Sequence, residues 1–374
     1  MTKGDKVLGI IFPNMHDNAI GELTKLRTMA SVPFGGRYRL IDFTLSEMVA
    51  AGIGDIGLIV KRNYMSLMDH LGSGRVYDLA RKIGGLKIFP PFGEIGGQVY
   101  TGKLQALSTV LGYLENTNCG TVILADSGIV SAINYKDVLD KHFKSGAKIT
   151  ALYAKETIDP ASKTDNVVFD VDEEGFVKAV YLNDDTTEVV CNSMFAYVIE
   201  KEFLLKLVKE GVKQGLTNFE GDVLQRIVKD GVKVVGYEYK GVLKRITSLK
   251  AYFDANLDMV NKDTMKALFA DHPVYTKIRD DAPVRYAIGS EVKEVVCADG
   301  CYTEGYVENS VLFRGVKIGK GAIVRNCVLM QDTVVEDGVV LENVICDKDV
   351  VITKEKKLIG DESHPVFVEK AARV

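Results

Sequence analysis

A repeat of constant step occupies the C-terminal part of this 374-residue chain and restricts the folds open to it. The hexapeptide Glu308–Phe313 recurs as Arg325–Met330 and, in part, as Glu342–Cys346, so its asparagine stands at intervals of 17 residues. Apolar positions within the repeat follow at intervals of six: Val316, Ala322, Val328, Val334, Val340 and Cys346. This pattern is typical of a parallel β-helix, in which each coil has three flat faces and each face points a side chain inward. We therefore predict a left-handed β-helix of hexapeptide repeats over residues 291–374.

The corners and one face of this predicted β-helix can be assigned. Gly319, Gly321 and Gly338 fit the tight corners, because glycine tolerates the backbone angles of a sharp turn. An antiparallel sandwich, the alternative, does not explain the constant step. We also expect an exposed flat face that carries Val311, Phe313 and Met330 and that would suit a contact between subunits.

The pattern of the first 270 residues is different and indicates an α/β sheet. Four apolar runs predict buried strands: Val7–Phe12, Ile56–Val60, Thr121–Ala125 and Ile149–Tyr153. Leucines at helical spacing from Leu104 to Leu114 predict a helix, and two runs on either side of Asp172–Gly175 predict a β-hairpin. A polar connector over residues 271–290 separates this part from the repeat, so we predict domains at residues 1–270 and 291–374.

The charge balance and the cysteines exclude several classes of protein. With 47 Lys and Arg against 51 Asp and Glu, the formal net charge is −4, and no dense basic run indicates nucleic-acid binding. No apolar stretch reaches the roughly 18 residues of a membrane span. The six cysteines lack the spacing of a zinc site or a disulfide framework. We therefore expect a cytoplasmic protein with reduced thiols, no metal site, and neither nucleic acid nor membrane as a partner.

The local sequence resembles the bacterial ADP-glucose pyrophosphorylases (glucose-1-phosphate adenylyltransferases). Three segments carry the resemblance, which extends over essentially the whole chain: Pro33–Ser46, Tyr77–Gly85 and Ala251–Leu257. Among the branches of that family, Arg27–Gly36 resembles the GlgD type, whose members accompany a GlgC-type catalytic subunit. The resemblance implies that a Rossmann-like (GT-A-like) nucleotidyltransferase domain precedes the β-helix. It also implies a reaction in which glucose 1-phosphate attacks the α-phosphorus of ATP and releases pyrophosphate. Such a site needs glycine amides, a magnesium ion on carboxylates, and a lysine.

The segment after the first strand departs from the family's phosphate loop. The resemblance implies a glycine-rich turn followed by an arginine, but residues 13–21 read PNMHDNAIG. Pro13 lacks an amide hydrogen and Asp17 repels phosphate, so this loop disfavours a triphosphate. Met29 stands where the family has its lysine.

The two metal carboxylates that the resemblance implies are also replaced. The first falls on Ser127 or on Gly128, depending on the alignment anchor, while Asp126 lies one or two positions early. The second falls on Arg245, whose charge would repel magnesium. A one-residue shift that lets Asp126 reach a metal stays open at this point.

The sugar-phosphate side is only partly retained. Asn183 lies within the segment that replaces the family's Glu-Lys-Pro, and Asn218 replaces an acidic residue. Ser193 and Asp222 match the family's sugar-contacting segments, so a residual sugar site is one interpretation of Ser193, Asn218 and Asp222. Structural roles, such as a helix-opening role for Asp222, are the other.

These departures predict little or no adenylyltransferase activity for the chain alone, because one lost donor in such a site costs roughly 3 kcal/mol. We expect instead a regulatory subunit of a hetero-oligomer with a GlgC-type catalytic subunit, which the resemblance implies is a tetramer. The chain itself would bind no cofactor tightly, and only the catalytic partner would require Mg²⁺.

Three arginines form a candidate effector site. In the family, effectors are anions, sugar phosphates or nucleotides held between the two domains, and Arg27, Arg37 and Arg39 fall in the matching segment. Guanidinium groups suit phosphate or sulfate, although a solvated basic face with Arg39 paired to Asp42 would give the same pattern.

Three other functions remain open. A working nucleotidyltransferase would use Asp126 and Asp222 as shifted metal ligands. An acyltransferase on the β-helix would want a histidine base, and no histidine lies between His272 and His364. A purely structural assembly module would bind no ligand.

Overall fold

The computed structural model describes residues 6–91, 100–158, 166–184 and 186–374. The strands before residue 270 are β1 (Val7–Phe12), β2 (Pro33–Phe34), β3 (Tyr38–Arg39), β4 (Asp55–Ile59), β5 (Gly85–Phe89), β6 (Thr121–Asp126), β7 (Ile129–Val130), β8 (Ile149–Thr157), β9 (Val167–Val171), β10 (Val177–Leu182), β11 (Val189–Glu200), β12 (Val234–Tyr239) and β13 (Lys244–Arg245). The helices are α1 (Gly21–Thr24), α2 (Leu40–Ala50), α3 (Met65–Leu71), α4 (Lys103–Thr109), α5 (Leu111–Asn116), α6 (Tyr135–Ser145), α7 (Lys201–Lys213), α8 (Gln225–Lys229), α9 (Leu249–Leu257) and α10 (Lys262–Phe269). A π-helical turn, Phe219–Leu224, precedes α8. Among these residues no helix is both long and apolar enough to cross a bilayer.

Nine of the described strands form one mixed sheet that organises the N-terminal part. The main path runs β10-β9-β11-β6-β1-β4-β5, and β8 pairs with both β11 and β12. The pairings of β1 with β4 and β6, and of β4 with β5, are parallel, whereas β11 runs antiparallel to β6. The four predicted strands and the β-hairpin (β9 and β10) are confirmed. The predicted leucine helix is present as two short helices, α4 and α5.

The register of this sheet places two loops side by side. Phe12, the last residue of β1, pairs with Asp126, the last residue of β6. Because the carboxyl ends of parallel strands meet at one edge, the segments that follow these residues border a common cleft.

The C-terminal strands form a parallel β-helix, as predicted. They are β14 (Arg285–Tyr286), β15 (Glu291–Cys297), β16 (Tyr302–Thr303), β17 (Tyr306–Leu312), β18 (Lys317–Ile318), β19 (Ile323–Leu329), β20 (Val334–Val335), β21 (Val340–Cys346), β22 (Val351–Ile352), β23 (Lys357–Ile359) and β24 (Val366–Val368). Short strands stack in parallel on short ones (β14-β16-β18-β20-β22), and long strands on long ones (β15-β17-β19-β21-β23). The strands β15, β17, β19 and β21 each bend at a residue with positive φ, so each spans two faces of a coil and the short strand supplies the third. In the last coil β23 and β24 pair with the two halves of β21.

The repeated asparagines form the bend in three successive coils. Asn309, Asn326 and Asn343 have φ values of 41°, 47° and 51°, a left-handed region that asparagine tolerates better than most residues. Their amides also stack: Asn309 donates to Asn326 over 2.8 Å, and Asn326 donates to Asn343 over 3.2 Å. Gly321 and Gly338 occupy another corner with positive φ, as predicted. Gly319 does not have positive φ, and it needs glycine because a Cβ there would lie 2.8 Å from the backbone nitrogen of Asp337.

The expectation of an exposed face at Val311, Phe313 and Met330 is wrong. These side chains are at most 3 % exposed and belong to a second hydrophobic core. That core joins the β-helix to Phe34 of β2 and to Tyr252 of α9. The apolar face therefore holds the two parts of this chain together and is not free for another subunit.

Two ion pairs cross the same seam in very different environments. Arg27 pairs with Asp347 at 2.9 Å, and both side chains are 5 % exposed. Lys25 pairs with Glu369 at 3.1 Å, and both are about two-thirds exposed.

We expect Asp347→Ala to destabilise the protein by roughly 3–5 kcal/mol, because it leaves the Arg27 charge buried without a partner. Glu369→Ala, the matched control across the same seam, should cost less than about 1 kcal/mol because water screens its exposed pair. Chemical denaturation of both variants measures the difference, and equal losses would contradict the assigned role of the buried pair.

Candidate functional site

The loop after β1 is held by its own side chains. The buried carboxylate of Asp17 accepts hydrogen bonds from the Asn14 amide at 2.7 Å and from the Met29 backbone N–H at 2.8 Å. Asn14 also accepts from the Lys61 N–H at 2.9 Å. Burial raises the pKa of Asp17, against the hydrogen bonds from Asn14 and Met29. The loop therefore presents a carboxylate where a phosphate loop would present free amides.

A buried lysine occupies the floor of the cleft. Lys103, the first residue of α4, places its ammonium 2.9 Å from Asp126 and in contact with Glu220 of the π-helical turn. All three side chains are at most 7 % exposed. Burial alone would lower the pKa of Lys103, but the charges of Asp126 and Glu220 outweigh it and raise that pKa. The same Lys103 charge, together with His16, outweighs burial at Asp126 and lowers the pKa of its carboxyl.

Two rings close the cleft above Asp126. His16 Nε2 lies 2.8 Å from Asp126 Oδ2, and the His16 ring packs 4.8 Å from the ring of Phe195. Phe195 lies in a bulge of β11 with φ 51°, a strained angle for an aromatic residue. The space that remains between His16, Asp126, Phe195 and Arg245 is about 110 Å³. Ligand pockets usually have about 300–1,000 Å³, so this space by itself is too small for a nucleotide, although a more open cavity of about 890 Å³ shares Arg245 with it.

The structure places the three degenerate metal positions beside this cleft. Ser127 is buried, and its hydroxyl makes no hydrogen bond to any described residue. Gly128 lies against the side chains of His16 and Met29. Arg245 on β13 pairs with Glu156 at 2.8 Å and donates to the Ser193 carbonyl at 2.9 Å.

These residues do not fit the magnesium ion that the family's chemistry requires. Mg²⁺ needs oxygen ligands with excess negative charge. Here the carboxylates of Asp126 and Glu220 already share the Lys103 ammonium, and the guanidinium of Arg245 lines the same space. A second cation beside them would be repelled, so the described residues do not favour metal-assisted chemistry in this cleft.

The candidate sugar residues have local structural partners. Ser193 is fully buried, and its hydroxyl accepts from the Phe195 N–H. The Asn218 side chain caps the π-helical turn by accepting from two of its backbone N–H groups, and Asp222 accepts from the N–H groups of Thr217 and Asn218. Asn183 is exposed with φ 53° and donates its N–H to the Asn166 carbonyl. The structural interpretation of these residues therefore has direct support.

A second cavity, which we call the basic pocket, lies between the sheet domain and the β-helix. Its volume is about 360 Å³, and six cationic side chains line it: Arg37, Arg39, Lys277, Arg279, Arg314 and Lys348. Lys277 pairs with Asp69, and Arg279 with Asp281. Among the described residues, no carboxylate lies within salt-bridge distance of Arg37, Arg39 or Lys348.

Burial and neighbouring charges lower the pKa values of two side chains of the basic pocket. Burial and the charges of Arg39 and Arg27 lower the pKa of Lys348 to about 7. Burial also lowers the pKa of Arg39, against the charge of Asp42. An anion would relieve both penalties. Of the three predicted effector arginines, the structure brings Arg37 and Arg39 together in the basic pocket. Arg27 lies outside this pocket and pairs with Asp347.

Sequence reasoning did not identify Lys103, His16 or Glu220 in the cleft, nor Lys348 and Arg314 in the basic pocket. No local sequence motif indicates that the side chain of Lys103, at the start of α4, is buried. The pocket residues come from segments more than 200 positions apart, which only the packing of the β-helix brings together.

We expect Phe195→Gly to be more stable than Phe195→Ala, by about 1 kcal/mol. Both changes remove the ring from the cleft, but only glycine adopts positive φ without strain. At an ordinary strand position the alanine variant would be the more stable of the two. Thermal unfolding that finds Phe195→Ala more stable than Phe195→Gly would therefore contradict a strained backbone at Phe195.

Comparison with known proteins gives the family. Residues 20–262 match the "Nucleotidyl transferase" model, and residues 280–365 match "GlmU-like, C-terminal hexapeptide". The chain is 30 % identical to "Glycogen biosynthesis protein GlgD" of Bacillus subtilis over 98 % of this chain and 96 % of that protein. The protein of the same name from Geobacillus stearothermophilus is 34 % identical over 86 % of this chain and 83 % of its own length. "Glucose-1-phosphate adenylyltransferase" of Clostridium perfringens is 30 % identical over 87 % of this chain and 83 % of its own length.

With both halves matched in order and relatives aligned over nearly their full length, the chain belongs to the nucleotidyl transferase family, in its bacterial ADP-glucose pyrophosphorylase and GlgD group.

Proposed function

We propose that this chain is a non-catalytic, regulatory subunit in bacterial glycogen synthesis, which acts in the cytoplasm by assembling with a GlgC-type catalytic subunit. The names of its relatives support the pathway, since they denote glycogen biosynthesis proteins and glucose-1-phosphate adenylyltransferases. The chain itself holds no tightly bound cofactor, and magnesium serves only the catalytic partner. The observation that carries the proposal is the contrast between a filled cleft and an open basic pocket.

The filled cleft supports the loss of catalysis. Lys103, His16, Phe195 and Arg245 fill the space beside Asp126 and leave about 110 Å³. Transition-state charge in phosphoryl transfer must be met by preorganised donors and a metal. Here the donors point at the protein's own carboxylates, so binding a magnesium–triphosphate complex would require breaking buried ion pairs that are costly to disrupt.

The basic pocket supports regulation by an anion. Arg37, Arg39 and Lys348 lack carboxylate partners among the described residues, and the pocket volume of about 360 Å³ admits a small phosphorylated ligand. The pocket lies on the seam between the two parts of the chain. An anion bound in the basic pocket would therefore act on the junction between the two parts of the chain. Through this junction an effector could alter the activity of a partner subunit.

A working enzyme with shifted metal ligands has less support. Asp126 is engaged by Lys103 and His16, and one carboxylate oxygen of Asp222 accepts two backbone N–H groups. Moving either side chain to a metal would leave buried or capping groups without partners. A structural module without any ligand is also disfavoured, because without a bound anion the cationic side chains of the basic pocket repel one another.

We expect the purified chain to form no ADP-glucose above background from ATP, glucose 1-phosphate and Mg²⁺, because its cleft cannot accept the nucleotide. Mixed with a GlgC-type subunit, it should co-elute in a larger complex and change the rate or the effector response of that subunit. Size-exclusion chromatography and a coupled pyrophosphate assay measure both properties. Robust turnover by the chain alone would contradict the proposal.

A double variant of the chain tests the effector role within that complex. Arg37→Ala with Arg39→Ala should reduce the effector response, because it removes two guanidinium groups from the basic pocket, and should leave the fold intact, because neither residue belongs to the hydrophobic seam. Lys144→Ala on the exposed end of α6 is the matched control. An unchanged phosphosugar response in the double variant would exclude the basic pocket as the effector site.

Sulfate should bind about tenfold more tightly at pH 6 than at pH 8, because Lys348, with a pKa of about 7, is charged at the lower pH and neutral at the higher. Sulfate keeps its own charge over this range. Burial lowers the pKa of His70, which also lines the pocket, against the charge of Asp42. Calorimetry measures the affinities.

The Lys348→Arg variant supplies the control, since arginine stays charged throughout. It should keep binding sulfate and lose most of the pH dependence. A pH dependence that persists unchanged in this variant would assign the titration to another group.

A further inference from the structure

The ammonium of Lys103 sits in a cage that is built for a cation. Asp126 reaches it from the end of β6, and Glu220 reaches it from the π-helical turn. Three aromatic faces complete the cage, with ring centroids of Phe195, Tyr197 and Phe12 at 4.7, 5.8 and 5.9 Å from the nitrogen. Carboxylates and aromatic faces both attract positive charge, so the cage selects for a cation without depending on lysine as such.

The cage carries more negative charge than one ammonium neutralises. Two buried carboxylates face a single formal cation, and Asp126 Oδ1 makes no hydrogen bond to any described residue although the side chain is only 1 % exposed. His16 Nε2 and the Tyr197 hydroxyl approach the same carboxylates, at 2.8 and 3.4 Å. Buried carboxylate oxygens are costly without positive charge beside them, so the cage depends on the cation that it holds.

The backbone fixes Lys103 in the cage. A Cβ on Gly102 would lie 2.3 Å from the Thr217 carbonyl oxygen, and that carbonyl accepts the N–H of Leu104 over 3.0 Å. The segment that holds the start of α4 is thus the one that leads into the turn carrying Glu220. Lysine and carboxylate are positioned by the same contact, which accounts for a buried charge at the first turn of a helix.

We propose that Lys103 is a tethered replacement for a metal ion, and that removing its ammonium leaves a divalent-cation site between the carboxylates of Asp126 and Glu220. The protein carries its own cation in the cleft, so its fold does not depend on a free one. Carboxylate ligands suit Mn²⁺, which therefore serves as the probe. The inference concerns the same cleft as the proposed function but is tested by stability and metal binding, so either can fail while the other stands.

The test compares the thermal unfolding midpoints of the wild type and Lys103→Ala in EDTA and in millimolar Mn²⁺. In EDTA the variant should unfold at least about 5 °C lower, because two buried carboxylates lose their partner. Mn²⁺ should restore about half of that loss and leave the wild type unchanged. Mn²⁺ electron paramagnetic resonance should show one additional bound ion per chain in the variant.

A triple variant, Lys103→Ala with Asp126→Asn and Glu220→Gln, keeps the same cavity without the carboxylates. It should neither bind the additional ion nor respond to Mn²⁺. A Lys103→Ala protein that responds to Mn²⁺ no more than the wild type or the triple variant would overturn the proposal. If Lys103→Ala does not fold in EDTA, refolding is repeated with Mn²⁺: recovery supports the cation site, and failure to recover while the triple variant folds overturns it.

Discussion

The proposed function of this chain depends on the buried contact of Lys103 with Asp126 and Glu220. A family of enzymes that handles phosphates with a free metal ion needs an open, negatively charged cleft. Here a lysine from the start of α4 neutralises that charge internally, and His16 and Phe195 close the space above it. Because breaking a buried ion pair is costly, this arrangement of Lys103 in the cleft is stable.

The strain at Phe195 fits this account. A phenylalanine with φ 51° in the bulge of a central strand carries a conformational cost of roughly 1–2 kcal/mol. Its ring packs against His16 and lies 4.7 Å from the Lys103 nitrogen, so the strained backbone serves to keep the ring in the cleft. The cleft is thus filled by interactions that support one another.

The seam between the sheet domain and the β-helix differs from the filled cleft, because an open pocket lies beside it. Its apolar centre joins Phe34 and Tyr252 to the face of the β-helix, and the buried Arg27–Asp347 pair fixes one edge. The basic pocket opens beside this seam with positive charge that the described carboxylates do not neutralise. The proposal that the chain responds to an anion and alters a partner subunit rests on this pocket.

Much of the fold was predictable because it follows from periodicity. The six-residue period and the asparagines 17 residues apart predict the β-helix, and the structure shows those asparagines stacking at a corner. The lost metal site at Ser127, Gly128 and Arg245 stays a prediction from the sequence. Contacts between distant segments were not predictable: Lys103 reaches Glu220 across 117 positions, and Arg27 reaches Asp347 across 320. The face with Val311 was misassigned for the same reason, since outward apolar residues look alike whether another domain or another subunit covers them.

The most direct test of this account is a crystal structure of the chain grown with Mg²⁺ and a non-hydrolysable ATP analogue at millimolar concentration. The account predicts that the ammonium of Lys103 stays between Asp126 and Glu220, with neither cation nor nucleotide in the cleft. Density for a magnesium ion coordinated by Asp126, with Lys103 displaced and a triphosphate beside residues 13–21, would contradict it.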